Sequence, residues 1–376
     1  MTMRNLVCAC TGVPRRDLEI IFNGNELSAE EFVASLRSFE FYTPIGEAHQ
    51  YSNQMVASGG YIAALADDTV SGNLLEDYTA TLQARVLDPI GMPNTTLSFD
   101  EVEASDNYAV PHSRRLAVDA PFEPLPLRTE AALAGGGPAG VHWSTAEDMA
   151  NYLVTELSRG VAHDGTRVVS AQQLEETWRP QVPVSANEQY GLGWYVGDYK
   201  GQRLIHHGGN TLGFTSDFAF LPDADIGILV LANGYGTTDM NEAIRTRLWE
   251  LVFAQEAEAE RLATYALQQA TAQTAAFAAQ IGDRVDVAEV SPFLGRYTNE
   301  ALGEVALSLE GDALTLDVGE FRSQLLPLRG EESQVQGYLM VDPPIVGLNI
   351  TFTDEGKPTL TLAGFGVGPY AFTRVE

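Results

Sequence analysis

Two short blocks hold the side chains best suited to moving protons in this 376-residue chain: Tyr51-Ser52-Asn53 and, far downstream, His207-Gly208-Gly209-Asn210. A phenol titrates near ~10, so Tyr51 acts as a base only where positive charge lowers that value. Asn53 offers a donor and an acceptor on one short amide. Gly208 and Gly209 lack side chains, which lets another backbone approach closely beside His207. Acyl transfer needs such groups: a base beside a hydroxyl, donors for an oxyanion, and a strand edge to hold substrate. The hydroxyl is harder to find. Ser-x-x-Lys does not occur, because the only lysines, Lys200 and Lys357, are preceded at that spacing by Gly197 and Asp354. The Gly-x-Ser-x-Gly nucleophile elbow is absent as well.

Two rival chemistries read poorly. The six histidines, His49, His112, His142, His163, His206 and His207, show no paired ligand spacing, so no metal site is expected. Adjacent residues on a strand face opposite ways, which points His206 away from His207 and gives it a structural role. Gly135 to Gly140 formally matches G-x-G-x-x-G. It follows Thr129-Glu130-Ala131-Ala132-Leu133, which is not a strand pattern, and Pro138 removes an amide that a pyrophosphate would use. No cofactor is expected.

Composition narrows the partners. An apolar fraction of 45% with 35 glycines and 18 prolines is that of a globular protein. A formal net charge of −29 repels nucleic acid and anionic membranes alike. No apolar run approaches the ~18 residues of a spanning helix, so no transmembrane segment is expected. Cys8 and Cys10, one residue apart, are read as buried small apolar side chains, since neighbours at that spacing do not easily reach disulfide geometry.

The ordered blocks resemble the second and third active-site motifs of β-lactamase-like, penicillin-binding serine hydrolases, whose members include class C β-lactamases, D-Ala-D-Ala carboxypeptidases and esterases. The match runs in order through Met3 to Pro14, Tyr51 to Asn53, the Asp88–Pro93 turn, Pro138 to Asp148 and His206 to Ser216. The resemblance implies that Tyr51 relays protons at the nucleophile and that Asn53 holds lysine and substrate. His207 takes the place of the lysine found in the Lys-Thr-Gly version. Gly208 and Gly209 line the substrate backbone, and the Asn210 N–H is one oxyanion donor. All three catalytic groups, Tyr51, Asn53 and His207, should converge around one small cavity. In complete members the Met3–Pro14 stretch lies downstream of the nucleophile, so Ser-x-x-Lys is expected upstream of Met1, and this chain is expected to be inactive alone. The implied activity is acyl-serine hydrolysis of a small or peptide-like ester or amide, closer to D-amino-acid peptidases and esterases than to broad β-lactamases. A non-catalytic ligand-binding module is the alternative. Family resemblance also implies a periplasmic or extracellular location.

These residues need a scaffold. Ser28 with Glu31, Ser144 with Glu147 and Ser170 with Gln173 read as helix-capping boxes. Segment 53–67 reads as a helix with Met55, Val56, Ile62, Ala63 and Leu65 inward, and 74–87 as another built on Leu75, Tyr78, Leu82 and Val86. Nothing upstream is seen to receive Leu6, Val7 and Val13. From Tyr190 to Leu231, four short β-rich runs split by Gly, Asn and Asp predict an antiparallel sheet. Residues 240–281 predict a long helix or helix pair. Alternating runs after residue 300 predict hairpins of a small all-β, barrel-like unit. The expected architecture is an α/β (α+β) sandwich of β-lactamase/transpeptidase type: residues 1–250 as the hydrolase domain, 251–284 as a helical connector and 285–376 as the β domain.

Overall fold

A computed structural model describes residues 1–24, 27–67, 71–330, 332–354, 356–364 and 367–375. The helices that matter for the site are α1 (Asp17–Phe22), α2 (Asn53–Leu65), α3 (Ala146–Leu157), α4 (Thr238–Val252) and α5 (Ala259–Ala278). A six-stranded antiparallel meander runs β1 (Val182–Pro183), β2 (Gln189–Tyr190), β3 (Tyr195–Tyr199), β4 (Gln202–Asn210), β5 (Thr215–Leu221) and β6 (Ile226–Ala232), each strand pairing with the next.

Strand alternation explains why this sheet is covered on both sides. On β5, Phe218 and Phe220 enter one cluster with Leu153 of α3, Trp178, Trp194 and Ile205. Ala219 and Leu221, pointing the other way, meet Trp249 of α4. A helix therefore seals each face, which is the expected sandwich. The predicted helix pair is also present, as α4 and α5.

Closure of the last eight strands removes every free edge. They are β7 (Gly295–Asn299), β8 (Gly303–Glu310), β9 (Ala313–Asp317), β10 (Arg322–Arg329), β11 (Val335–Met340), β12 (Asn349–Asp354), β13 (Pro358–Gly364) and β14 (Val367–Arg374). The barrel closes where β14 pairs with β7, Thr373 opposite Thr298. Its interior holds Tyr297, Leu314, Leu325, Leu360 and Phe372, all fully buried. Leu18 and Phe22 of α1, and Leu212 from the β4–β5 turn, join the same cluster. Asn23 Nδ2 donates to the Ala301 carbonyl at 2.9 Å, and the Tyr370 hydroxyl donates to Glu19 at 3.2 Å. The barrel thus grips α1 and the residue that follows it.

Several local expectations change. Leu6 and Val13 do find a core, burying with Phe39 and Met55 of α2. On α2 the inward face is Gln54, Met55, Ala57, Ser58, Tyr61 and Ala64, whereas Ile62, Ala63 and Leu65 are exposed. Small and polar residues supply that stripe, Ser58 satisfying its hydroxyl on the Gln54 carbonyl at 2.7 Å, so apolar spacing alone misplaces it. Ser28 and Glu31 form the reciprocal box as expected, and Ser170 caps Gln173. At α3 the cap is Thr145, accepting from the Asp148 N–H, and not Ser144. Ser144 instead lies 2.7 Å from the Thr95 hydroxyl. The second predicted helix ends at Leu82 and continues as a π-turn over Gln83–Leu87. Residues Ala134–Ala139 form a 3-10 segment, where a side chain on Gly135 would sit 2.5 Å from the Leu27 carbonyl oxygen. Among the described residues, no helix is long and apolar enough to cross a membrane.

Beneath the sheet lies a buried acid. Glu156 of α3 is 3% exposed and accepts a hydrogen bond from Trp178 Nε1 at 3.1 Å. Burial pushes its carboxyl up to about 7, against the pull of its Tyr152 and Trp178 donors. The folded chain therefore keeps this proton, while the unfolded chain releases it above about 4.5. Stability contributed by the site is full below that value and falls as pH rises towards 7. Urea unfolding at pH 5 and pH 8 should show Glu156→Gln removing a pH-dependent loss on the order of 1–3 kcal/mol. An identical pH slope in the variant contradicts the assignment.

Candidate active site

Tyr51 stands at the end of a loop pinned from beneath. The Gly46 and Gln50 amides donate to the carbonyls of Cys10 and Ala9 at 2.7 and 2.6 Å. Cys8 and Cys10 are joined by a disulfide, contrary to the expectation of two free thiols. The reason is local: Ala9 adopts a left-handed φ of 49°, turning the chain so that the two Cα atoms lie 5.2 Å apart, within bridging range. The bridge packs with Val182 and Tyr190, and Tyr51 and Tyr195 close over that cluster.

Immediately after Tyr51, helix α2 is stitched to the 14–17 loop. Ser52 Oγ donates to the Pro14 carbonyl at 3.4 Å, Gln54 Nε2 to the Arg16 carbonyl at 3.1 Å, and Asn53 Nδ2 to Asp17 Oδ1 at 3.1 Å. Asp17 also binds the Arg15 guanidinium. That guanidinium lies over the Tyr51 ring, its Cζ 5.5 Å from the centroid. Asn53 therefore joins the site through Asp17, not through His207.

His207 arrives from β4, in register with Phe218 of β5. Its ring lies 6.1 Å from Tyr51, 6.0 Å from Tyr190 and 5.4 Å from Tyr195, between centroids. Tyr190 and Tyr195 touch edge to face at 4.8 Å. Tyr51 and His207 thus come together within one aromatic cluster. His207 Nδ1 lies 2.7 Å from the Gly208 carbonyl, which only accepts, so Nδ1 carries the proton. Nε2 is then the acceptor of the Tyr190 hydroxyl at 3.1 Å. This is a neutral imidazole, and burial accordingly lowers its pKa.

Tyr51 is also held in its neutral form. Burial pushes its phenol up to about 12, the Arg15 charge opposes this, and Tyr195 and Asp17 reinforce it. At neutral pH Tyr51 is a donor. His206 faces elsewhere, as strand alternation requires: it binds Glu188 at 2.9 Å and stacks on Tyr195.

The rest of the β4 block is open. Gly208 and Asn210 are exposed, and Asn210 Oδ1 accepts from the Thr215 hydroxyl at 3.0 Å. A side chain on Gly209 would meet Ser216 Oγ at 2.7 Å. The turn that follows is held by buried Glu130, which accepts from the Gly213 N–H. Among the described residues, no serine hydroxyl bonds Tyr51, Asn53 or His207, and no three His, Cys, Asp or Glu side chains gather as a metal site. Tyr190, Tyr195, Arg15 and Asp17 were not picked out from the sequence. Only the Tyr-rich run around β2 and β3 hints at two of them.

A family model described as Beta-lactamase matches residues 1–253. An unguisins hydrolase of Aspergillus campestris is 25% identical over 239 residues, covering 62% of this chain and 42% of that protein. Penicillin-binding protein 4 of Amycolatopsis lactamdurans is 28% identical over 201 residues, 49% of this chain and 50% of its own length. The chain thus spans about half the length of the curated relatives it matches. Among solved structures, the octameric penicillin-binding protein homologue from Pyrococcus abyssi superposes with a TM-score of 0.58 at 20% identity, over 100% of this chain and 78% of that one.

The Tyr190 contact yields a measurable consequence. Tyr190→Phe removes the donor that stabilises neutral His207, so its pKa should rise by about half a unit to one unit. Imidazole chemical shifts followed from pH 4 to 8 read this directly; an unshifted titration refutes the hydrogen bond.

Proposed function

This chain belongs to the β-lactamase family, and on that premise we propose that the Tyr51–His207 cluster is the proton-handling half of an acyl-serine hydrolase site for small or peptide-like amides and esters. One observation carries the reading: two side chains from distant segments, a loop tyrosine and a strand histidine, lie 6.1 Å apart beside an exposed glycine edge. Tyr51 and Asn53 border the scissile group, His207 stands opposite, and Gly208, Gly209 and Asn210 offer the strand edge to the substrate backbone. The His-x-Gly form favours D-amino-acid amides and esters. The Cys8–Cys10 disulfide supports an oxidising, extracytoplasmic setting.

No Ser-x-x-Lys occurs in the sequence, so this chain is not expected to acylate itself. A second reading, ligand binding without turnover, is favoured by a specific observation: Tyr51 keeps its proton and His207 is already engaged by Tyr190, so neither stands as a free base at neutral pH. A relative named as a hydrolase and another named as a penicillin-binding protein support the two readings respectively.

Intact-mass analysis after exposure to a fluorophosphonate and to benzylpenicillin should show no adduct; an adduct on any serine refutes the claim that this chain lacks its own nucleophile. Titration with a D-phenylalanine amide should perturb Tyr51 and His207 resonances, and His207→Ala should weaken binding about tenfold or more. No perturbation at millimolar ligand sinks both readings.

A further inference from the structure

An acyl-transfer tyrosine needs a cation close to its oxygen, and neither lysine of this chain is at the site. Lys200 is engaged by Gln255 and Glu258, beside α4 and α5, and Lys357 lies in the β12–β13 turn. The groups facing Tyr51 are Tyr190 of β2, Tyr195 of β3, His207 of β4, and the pair formed by Arg15 and Asp17, the first residue of α1. Only one of them is a permanent cation. We infer that Arg15 is the charge-setting residue for Tyr51 in this chain, and that Asp17 is the tether that both aims the guanidinium and ties Asn53 into the same circuit.

Three contacts make this a built arrangement. Arg15 Nε binds Asp17 Oδ2, leaving the guanidinium over the tyrosine ring at 5.5 Å. The other oxygen, Oδ1, accepts from Asn53 Nδ2 at 3.1 Å. One carboxylate therefore fixes Arg15 and Asn53 at once. The segment is held from both directions: Gln54 and Ser52 bond the carbonyls of Arg16 and Pro14, and α1, which follows directly, buries Leu18 and Phe22 in the barrel core. A position on an exposed, unanchored loop would let a side chain as long as arginine wander. Here the barrel supplies the anchor, which gives the β-rich region a part in the chemistry without lending a single side chain to it.

Asp17 works against Arg15 electrostatically while placing it. Its negative charge favours the neutral phenol, and the guanidinium favours the phenolate. Removing each therefore moves Tyr51 in opposite directions, a sign pattern that a merely structural contact does not produce.

The inference rests on the reading of Tyr51 as a proton-handling group, but its test requires no turnover. Tetranitromethane nitrates the phenolate, so the rate of Tyr51 nitration at pH 8, followed by peptide mass spectrometry, reports the phenolate fraction. Arg15→Ala should slow Tyr51 nitration about threefold or more, equivalent to half a pKa unit. Arg15→Lys should keep the rate near wild type, and Asp17→Asn, whose amide oxygen still accepts from Arg15 while the negative charge is gone, should raise it. Exposed Tyr42 serves as the internal control. Uncovering the ring by Arg15→Ala without any charge effect would speed the reaction, so an equal or faster rate overturns the inference. So does an unchanged rate in Asp17→Asn. Should Arg15→Ala misfold by circular dichroism, the Arg15→Lys and Asp17→Asn rates decide alone. A failed amide titration with the nitration pattern intact faults the proposed function and spares Arg15; the reverse faults Arg15 only.

Discussion

Burial of ionisable rings against one another is the constraint from which the chemistry of this site follows. Tyr51, Tyr190, Tyr195 and His207 share one packed cluster, and taking such groups out of water penalises their charged forms. His207 stays neutral with its Nδ1 proton on the Gly208 carbonyl, and Tyr51 keeps its phenolic proton. Among the described residues, the exposed cation over Tyr51, Arg15, opposes that trend only in part, because its partner Asp17 carries the opposite sign. The site as it stands holds protons in reserve.

Two large structures hold that cluster in place. The six-stranded sheet delivers Tyr190, Tyr195 and His207 on consecutive strands, and on the face that carries His207 it packs Phe218 and Phe220 onto Trp178 and Trp194. The closed barrel acts from the other side. It swallows Leu18, Phe22 and Leu212, so both the loop before α1 and the turn after β4 are fastened to the same hydrophobic interior. Arg115 pairs with Asp342 at 2.8 Å along the same junction, though an ion pair this exposed adds little beside the apolar burial.

Membership of the β-lactamase family accounts for the ordered motifs and for the helix–sheet–helix layering. The cation beside Tyr51 is the part of the site that the motifs did not foretell. The resemblance implies a lysine beside the tyrosine; among the described residues, the cation seen over the Tyr51 ring is Arg15, from the segment before α1. A guanidinium is planar, always charged and able to stack on a ring, so it sets a field at Tyr51 but does not accept a proton.

Much of the architecture was legible because it rests on local periodicity. Four of the six sheet strands show runs of β-branched and aromatic residues, and the barrel hairpins alternate around Glu310-Gly311-Asp312. Tyr51 and His207 stood out for a different reason: each sits in a short pattern whose residue types suit acyl transfer. What stayed hidden was decided by tertiary contact. The inward face of α2 depends on which neighbours accept Ser58 and Ala64, the Cys8–Cys10 bridge on the left-handed turn at Ala9, and the α3 cap on whether Ser144 is taken by Thr95. Spacing along a chain settles which residues can share a strand or helix face. It says nothing about what lies across from them, and so the sequence by itself determined the strands, the hairpins and the two motif residues. Only the fold decided that Tyr190 would engage His207, that Arg15 would lie over Tyr51, and hence which protons the site holds, because desolvation and charge act through space between segments that the chain keeps far apart.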